Sequence, residues 1–195
     1  MTQTRMPGPQ RREQILDTCR RIAAEDGFTA VTIDRVASEC AVSRTVIHQH
    51  FRTLPGMLVS LLDREIERAG RGFLDAVSSV PAARQHSIRE ITAAVLAAVD
   101  ADPATWRLFM LPSPGGPPEL HERLETGRAV VRAYLISAIE TATGDADPQD
   151  AELAARILHA AADEIVRLRL RDPHTYNTER LLRQADRLQA VLHRA

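Results

Sequence analysis

The stretch from Ala30 to Phe51, AVTIDRVASECAVSRTVIHQHF, constrains this chain more than any other. Ile33, Val36 and Ala37 fall at helical spacing, Cys40 and Val42 close a short interruption, and Val46, Ile47 and Phe51 resume the apolar period. Thr32 and Ser43 each precede one of the two segments, where a side-chain oxygen can accept from an unpaired amide of the first helical turn. Glu39 to Val42 leaves room only for a turn. The pattern is that of a helix-turn-helix, and an ordinary helical hairpin in an all-α protein fits the spacing equally well. A helix opened at Ser43 presents Arg44 and Thr45 at its amino end, which suits a DNA major groove: arginine pairs with the N7 and O6 edge of guanine, and a helix amino end favours phosphate.

A longer stretch decides between these readings. Arg11 to Asp63 opens with a helix ending in Glu-Asp-Gly-Phe, continues through Thr-Ile-Asp-Arg-Val-Ala, and reaches Val-Ser-Arg with His-Phe closing the second helix. It resembles the amino-terminal DNA-binding domain of the tetracycline-repressor (TetR) family of transcriptional regulators. The resemblance implies that Thr32 and Ser43 cap helices and touch phosphates, that Arg44, Thr45 and Gln49 face the groove with His48 and His50 nearby, and that Val42, Ile47 and Phe51 are core. Three positions depart from the family pattern. Ala41 stands where glycine is usual, which is strained if φ is positive there. His48 replaces a tyrosine and is titratable near neutrality. Leu54, followed by Pro55, replaces a phosphate-contacting lysine.

The chain has 195 residues, enough for a small domain joined to a larger one with its own core. The formal charge of −1 argues against nonspecific coating of a polyanion but not against a local basic face. Met1 to Thr53 carries eight arginines against six acids, and the chain has no lysine. Cys19 and Cys40 are too few for a disulfide scaffold and fall on apolar helix faces, so they read as buried thiols. No signal-like leader or membrane-length apolar run is present, and a soluble cytoplasmic protein is expected.

Taken in order, residues 1–8 read as a mobile arm, and a first helix follows from Pro9 to Glu25 with Gly27 at its carboxyl end. Arg5, Arg11 and Arg12 are candidates for an arm reaching the DNA backbone or minor groove. After Thr53 a long helix runs from Leu54 to about Ser79, with an apolar stripe through Leu58, Leu61, Leu62, Ile66, Ala69, Phe73 and Val77. It couples the two parts of the chain. Helices over His86–Val99, from Pro103, over Glu119–Thr143, Pro148–Arg171 and Thr178–His193 complete an all-α architecture of about nine helices. Pro112 to Pro118, PSPGGPP, breaks the chain between them. The domain boundary is placed at Thr53: 1–53 binds DNA, and 54–195 binds an effector and dimerises.

The resemblance further implies a cavity among the middle helices for an apolar or amphipathic small molecule. Leu61, Phe73, Val95, Trp106, Phe109, Met110 and Tyr134 are candidates for its lining, each equally readable as core. His86, Arg107, His121 and Asp163 could add polar contacts. The family also pairs two carboxyl-terminal helices with their mates in a four-helix dimer interface, here through Ala154, Leu158, Ala161, Ile165, Leu181, Ala185, Leu188 and Leu192. No metal-ligand spacing, phosphate loop or nucleophile elbow appears, so no cofactor, metal or catalytic residue is expected. The expected function is a ligand-responsive regulator, most simply a repressor, binding a pseudo-palindromic operator as a homodimer. The alternatives are a small-molecule sensor with weakened DNA recognition and a small helical enzyme.

Overall fold

A computed structural model of the chain describes residues 6–84, 87–110, 116, 118–143 and 147–192. Among them there are nine α-helices and no strand: α1 (Gly8–Asp26), α2 (Ile33–Glu39), α3 (Arg44–Phe51), α4 (Leu54–Ser79), α5 (Ile88–Ala101), α6 (Pro103–Met110), α7 (Glu119–Thr143), α8 (Pro148–Arg171) and α9 (Thr178–Leu192). They form two compact units. One comprises the described residues of Met1–Glu67 and Pro112–Arg123, the other those of Arg68–Leu111 and Leu124–Ala195.

In the first unit, α1 ends because Gly27 adopts φ 84°, a conformation an L side chain resists, while its amide closes on the Ala23 carbonyl at 3.1 Å. Ile15, Leu16, Cys19 and Ile22 form the buried stripe of α1, and Val36, Ile47 and Phe51 that of the two helices after it. This unit continues past the expected boundary at Thr53. Met57, Leu58, Leu61 and Leu62 of α4 are buried in it, and Arg64 ties α4 to α1 through Glu13 (2.8 Å) and Asp17 (3.0 Å). Thr53 caps α4, its Oγ1 accepting from the Gly56 amide at 3.2 Å. A Cβ at Gly56 would lie 3.0 Å from the Phe51 carbonyl oxygen, so glycine here lets α4 start close against the end of α3. Cys19 and Cys40 are buried; burial is the main reason the Cys19 thiol is pushed up to about 12, which leaves it protonated and unreactive.

In the second unit, α5 is the central helix. It packs on α9 and α8, and Leu96 meets Ile165, Leu181 and Leu182. A second cluster gathers Val99, Trp106, Val166 and Leu170, with Phe73, Val95, Ala98 and Met110 packed against it. Ser87 caps α5 by accepting from the Glu90 amide at 3.3 Å. The carboxylate of Asp100 takes both Nε and Nη2 of Arg169, at 2.8 and 2.9 Å, a two-pronged pairing that pins α5 to α8.

His159 is buried on α8, its Nε2 3.5 Å from Asp163. Burial holds this imidazole below its ordinary pKa, Arg132 and Arg128 add to the depression, and Asp163 and Glu125 oppose it. The unfolded chain therefore binds a proton near pH 6.5 that the folded chain refuses. Stability is at its full value above about pH 6.5 and falls on acidification below it, by up to about 1.4 kcal/mol per pH unit. Thermal melts between pH 7 and pH 5 are expected to show this decline, with a shallower one in His159→Gln; equal slopes would remove His159 as the cause.

Candidate nucleic-acid interface

The second helix of the helix-turn-helix exposes one face and buries the other. Arg44, Thr45, His48 and Gln49 are exposed, and Arg52, at the carboxyl-terminal cap, continues the same face; Ile47 and Phe51 point inward. The spacing of one, four, five and eight residues from Arg44 is that of a single helical stripe. The amino end of α2 is capped by Thr32, whose Oγ1 accepts from the Arg35 amide at 3.1 Å. Ser43 has the extended backbone of a cap, but its side chain makes no capping hydrogen bond, so its hydroxyl remains available at the amino end of α3. The turn is closed by the Val42 amide on the Ala37 carbonyl at 2.9 Å, and Ala41 adopts φ 53°. The strain foreseen at this non-glycine position is real and costs roughly 1–2 kcal/mol.

Most arginines around the motif are committed within the protein. Arg35 donates to Glu39 at 2.9 Å and Asp26 at 2.6 Å, while Arg21 pairs with Glu25 at 3.2 Å and also with Glu39. The hydrogen bond from Arg35 holds the Glu39 carboxyl below its ordinary range, and Arg21 adds to this. Arg11 donates to Gln14 at 2.6 Å. Arg12, expected in the arm, is instead a bracket: its guanidinium lies 4.3 Å from the Phe51 ring centroid and donates to the His50 carbonyl (3.1 Å) and Ser60 Oγ (3.0 Å). Both residues sit within α1, Arg11 beside Gln14 of its own helix and Arg12 against the end of α3. Arg5 lies outside the described residues. His50 is half-buried beside the Phe51 ring, off the exposed stripe, since residues 48 and 50 are too close in sequence to share a helix face.

Two exposed side chains complete the face and were not among the sequence candidates. Asp34, in the first turn of α2, pairs with Arg44 Nε across the turn. Arg52 has φ 56°, and its carbonyl accepts from His48 Nδ1 at 2.8 Å, which places the ring proton on Nδ1 and leaves Nε2 outward. The signal for Arg52 was its place eight residues after Arg44; nothing in the linear sequence marks the pairing of Asp34.

Two family models match the chain: the amino-terminal model of the bacterial regulatory proteins of the tetR family over residues 15–58, and the tetracyclin repressor-like carboxyl-terminal domain over residues 85–190. The chain belongs to the TetR family of transcriptional regulators. It is 33% identical over 103 residues to the transcriptional regulator EthR of Mycolicibacterium smegmatis, a match covering 53% of this chain and 48% of that protein. The chain thus spans about half the length of that curated relative. A TetR-like transcriptional regulator from Rhodococcus sp. RHA1 superposes with a TM-score of 0.74 at 19% identity, covering 95% of this chain and 99% of that one. The multidrug binding protein EbrR, solved with imidazole, has a TM-score of 0.62 at 24% identity, over 92% and 90% of the two chains.

The carboxyl-terminal residues expected to serve this TetR regulator are distributed differently from the expectation. Phe73, Val95, Trp106 and Met110 do come together, and Tyr134 meets Phe73 edge-on at 5.9 Å. Phe109 is half-buried outside that cluster, and Leu61 is fully buried in the first unit. An open cleft of about 450 Å³ in the second unit is lined by alanines of α4 and α5 with Arg68, Asp75, Asp102 and Trp106; of the residues expected, only Trp106 borders it. The Nε of Arg107 is buried without a hydrogen-bond partner, His121 is exposed, Asp163 lies beside His159 and Arg167, and His86 is outside the described residues. Of the expected dimer residues, Ile165, Leu181 and Ala185 are buried within the protomer, the first two against Leu96 of α5, so they are core. Ala154, Leu158, Ala161 and Leu188 are half-buried, and the side chain of Leu192 is outside the description. Leu153 and Ile157 of α8 are the large apolar residues left outward, 57% and 59% exposed. No described helix is long and apolar enough to cross a membrane, and no three His, Cys, Asp or Glu among the described residues are grouped to hold a metal.

Proposed function

We propose that this TetR regulator binds a pseudo-palindromic operator as a homodimer through the α3 stripe, and that a small apolar or amphipathic effector releases it. The stripe Arg44, Thr45, His48, Gln49 and Arg52 carries the reading, because these polar side chains point outward from a helix whose other face is fully packed. Arg44 and Gln49 suit base edges, while Ser43, Thr32 and Arg52 suit phosphates. Arg52 takes over the cationic role that Leu54, half-buried, does not perform. Two copies related by a two-fold axis would set their α3 helices one DNA turn apart, roughly 34–36 Å. The effector acts by population shift: it binds more tightly to the state in which that spacing is lost, and the difference in affinity between states sets how far DNA is released. The apolar grouping of Phe73, Trp106, Met110 and Tyr134 supports an effector of that class.

Selection of DNA from a random pool by the purified protein tests the reading. Enrichment of one inverted repeat with half-sites about 10 base pairs apart is expected; absence of any enriched sequence would favour a sensor without DNA recognition. In Arg52→Ala the affinity for all duplexes is expected to drop alike, with the slope of log affinity against log salt reduced by about one per subunit. A slope equal to that of the parent protein would exclude the phosphate role.

A further inference from the structure

We infer that Asp34 is a positioning residue for Arg44, and that the pair reads a guanine in the major groove; the inference rests on the operator-binding function proposed above. Asp34 Oδ1 engages Arg44 through Nε, across the turn that joins α2 to α3. A guanidinium held at Nε keeps its two terminal amino groups free and coplanar, and those are the groups that donate together to O6 and N7 of guanine. Both side chains are exposed, 69% for Arg44 and 62% for Asp34, so the pair contributes little to the stability of the unit and stands where a duplex would meet it.

The remaining charges leave this pair distinct. Glu39 and Asp26 are taken by Arg21 and Arg35, and Asp34 is the carboxylate that faces the amino end of α3. An acid at this place repels the phosphate backbone and lowers affinity for every sequence. Its presence is explained by what it does to Arg44: among the many rotamers of a long side chain it favours the one that points past Asp34, so the arginine loses less freedom when it meets the right base and is drawn away from phosphates. The carboxylate also rejects the acceptor-rich edges of bases that do not bring a donor to it. Affinity is given up for discrimination.

The test measures base preference at each operator position by competition binding with the parent protein, Asp34→Asn, Arg44→Ala and the double variant. Asp34→Asn is expected to bind random DNA more tightly and to lose at least about fivefold of the preference for guanine at one position of each half-site, with other positions unchanged. Arg44→Ala should lose preference at that same position, roughly 5- to 150-fold. In the double variant the Asp34 change should have no further effect on preference, which marks the two residues as one unit. A purely structural role for Asp34 at the start of α2 would weaken binding to all sequences equally and leave the ratio intact. An unchanged ratio in Asp34→Asn, or an Asp34 effect that persists without Arg44, overturns the inference while operator binding stands. If the parent protein itself prefers no sequence, the operator reading falls and this inference with it.

Discussion

Replacing Arg64 by alanine is expected to destabilise the first unit by about 3–5 kcal/mol, seen as a lower urea midpoint and as loss of DNA retention at ordinary temperature. The side chain is 13% exposed and meets three carboxylates: Glu13 at 2.8 Å, Asp17 at 3.0 Å and Glu65 at 2.7 Å. Glu65 is fully buried. Arg64 is the cation beside a carboxyl shut off from water, and withdrawing it takes away that group's counter-charge in a place where desolvation is costly. Because a domain of this size has only about 5–15 kcal/mol in total, the loss is a large share of it. The control is Arg64→Met with Glu65→Leu. Exchanging both partners for apolar groups of similar volume removes the charge and its counter-charge together and should restore most of the stability. A loss under about 1 kcal/mol in Arg64→Ala would place the pair among surface ion pairs of little consequence. The same arginine joins α4 to α1, so the orientation of the DNA-binding helices on α4 depends on it as well.

Leu153→Glu combined with Ile157→Glu is expected to yield a folded monomer whose operator affinity is lower by two to four orders of magnitude. These residues lie one helical turn apart on α8 and are each more than half exposed in the protomer, so charging them removes no internal packing. In a dimer they would be covered, and two facing pairs of carboxylates would oppose association. Once the subunits part, the second half-site is no longer met at the high local concentration that the first contact provides. Light scattering gives the mass and a gel shift the affinity. A variant that stays dimeric would move the interface elsewhere, and the outward face of α7, where Val130 is 54% exposed, is the next place to examine.

Much of this molecule was legible in its order of residues. The helix bounds of α4, α7 and α8 are those the apolar period and the prolines demanded. Two helices joined by a turn were legible in α2 and α3 through Thr32 and the spacing of Val36, Ile47 and Phe51, since a short helix must bury one stripe; what set them apart from an ordinary helical hairpin was the resemblance of Arg11 to Asp63 to the family, and Ser43 makes no capping bond. The strain at Ala41 was foreseeable from that resemblance, which puts glycine at this turn position. Commitment of individual side chains was not. Nothing near Arg12 in the sequence marks its partners, the His50 carbonyl and the Phe51 ring, which lie thirty-eight and thirty-nine residues further on. Ile165, Leu181 and Ala185 had the apolar character an interface needs, but all three are buried within the protomer, the first two against Leu96 of α5, and Leu153 and Ile157 are outward instead. Periodicity states that a face must be buried; only the packing of distant helices decides whether a neighbour or a partner buries it, and which charge finds which counter-charge, because those contacts join residues whose separation in the chain carries no information about their distance in space.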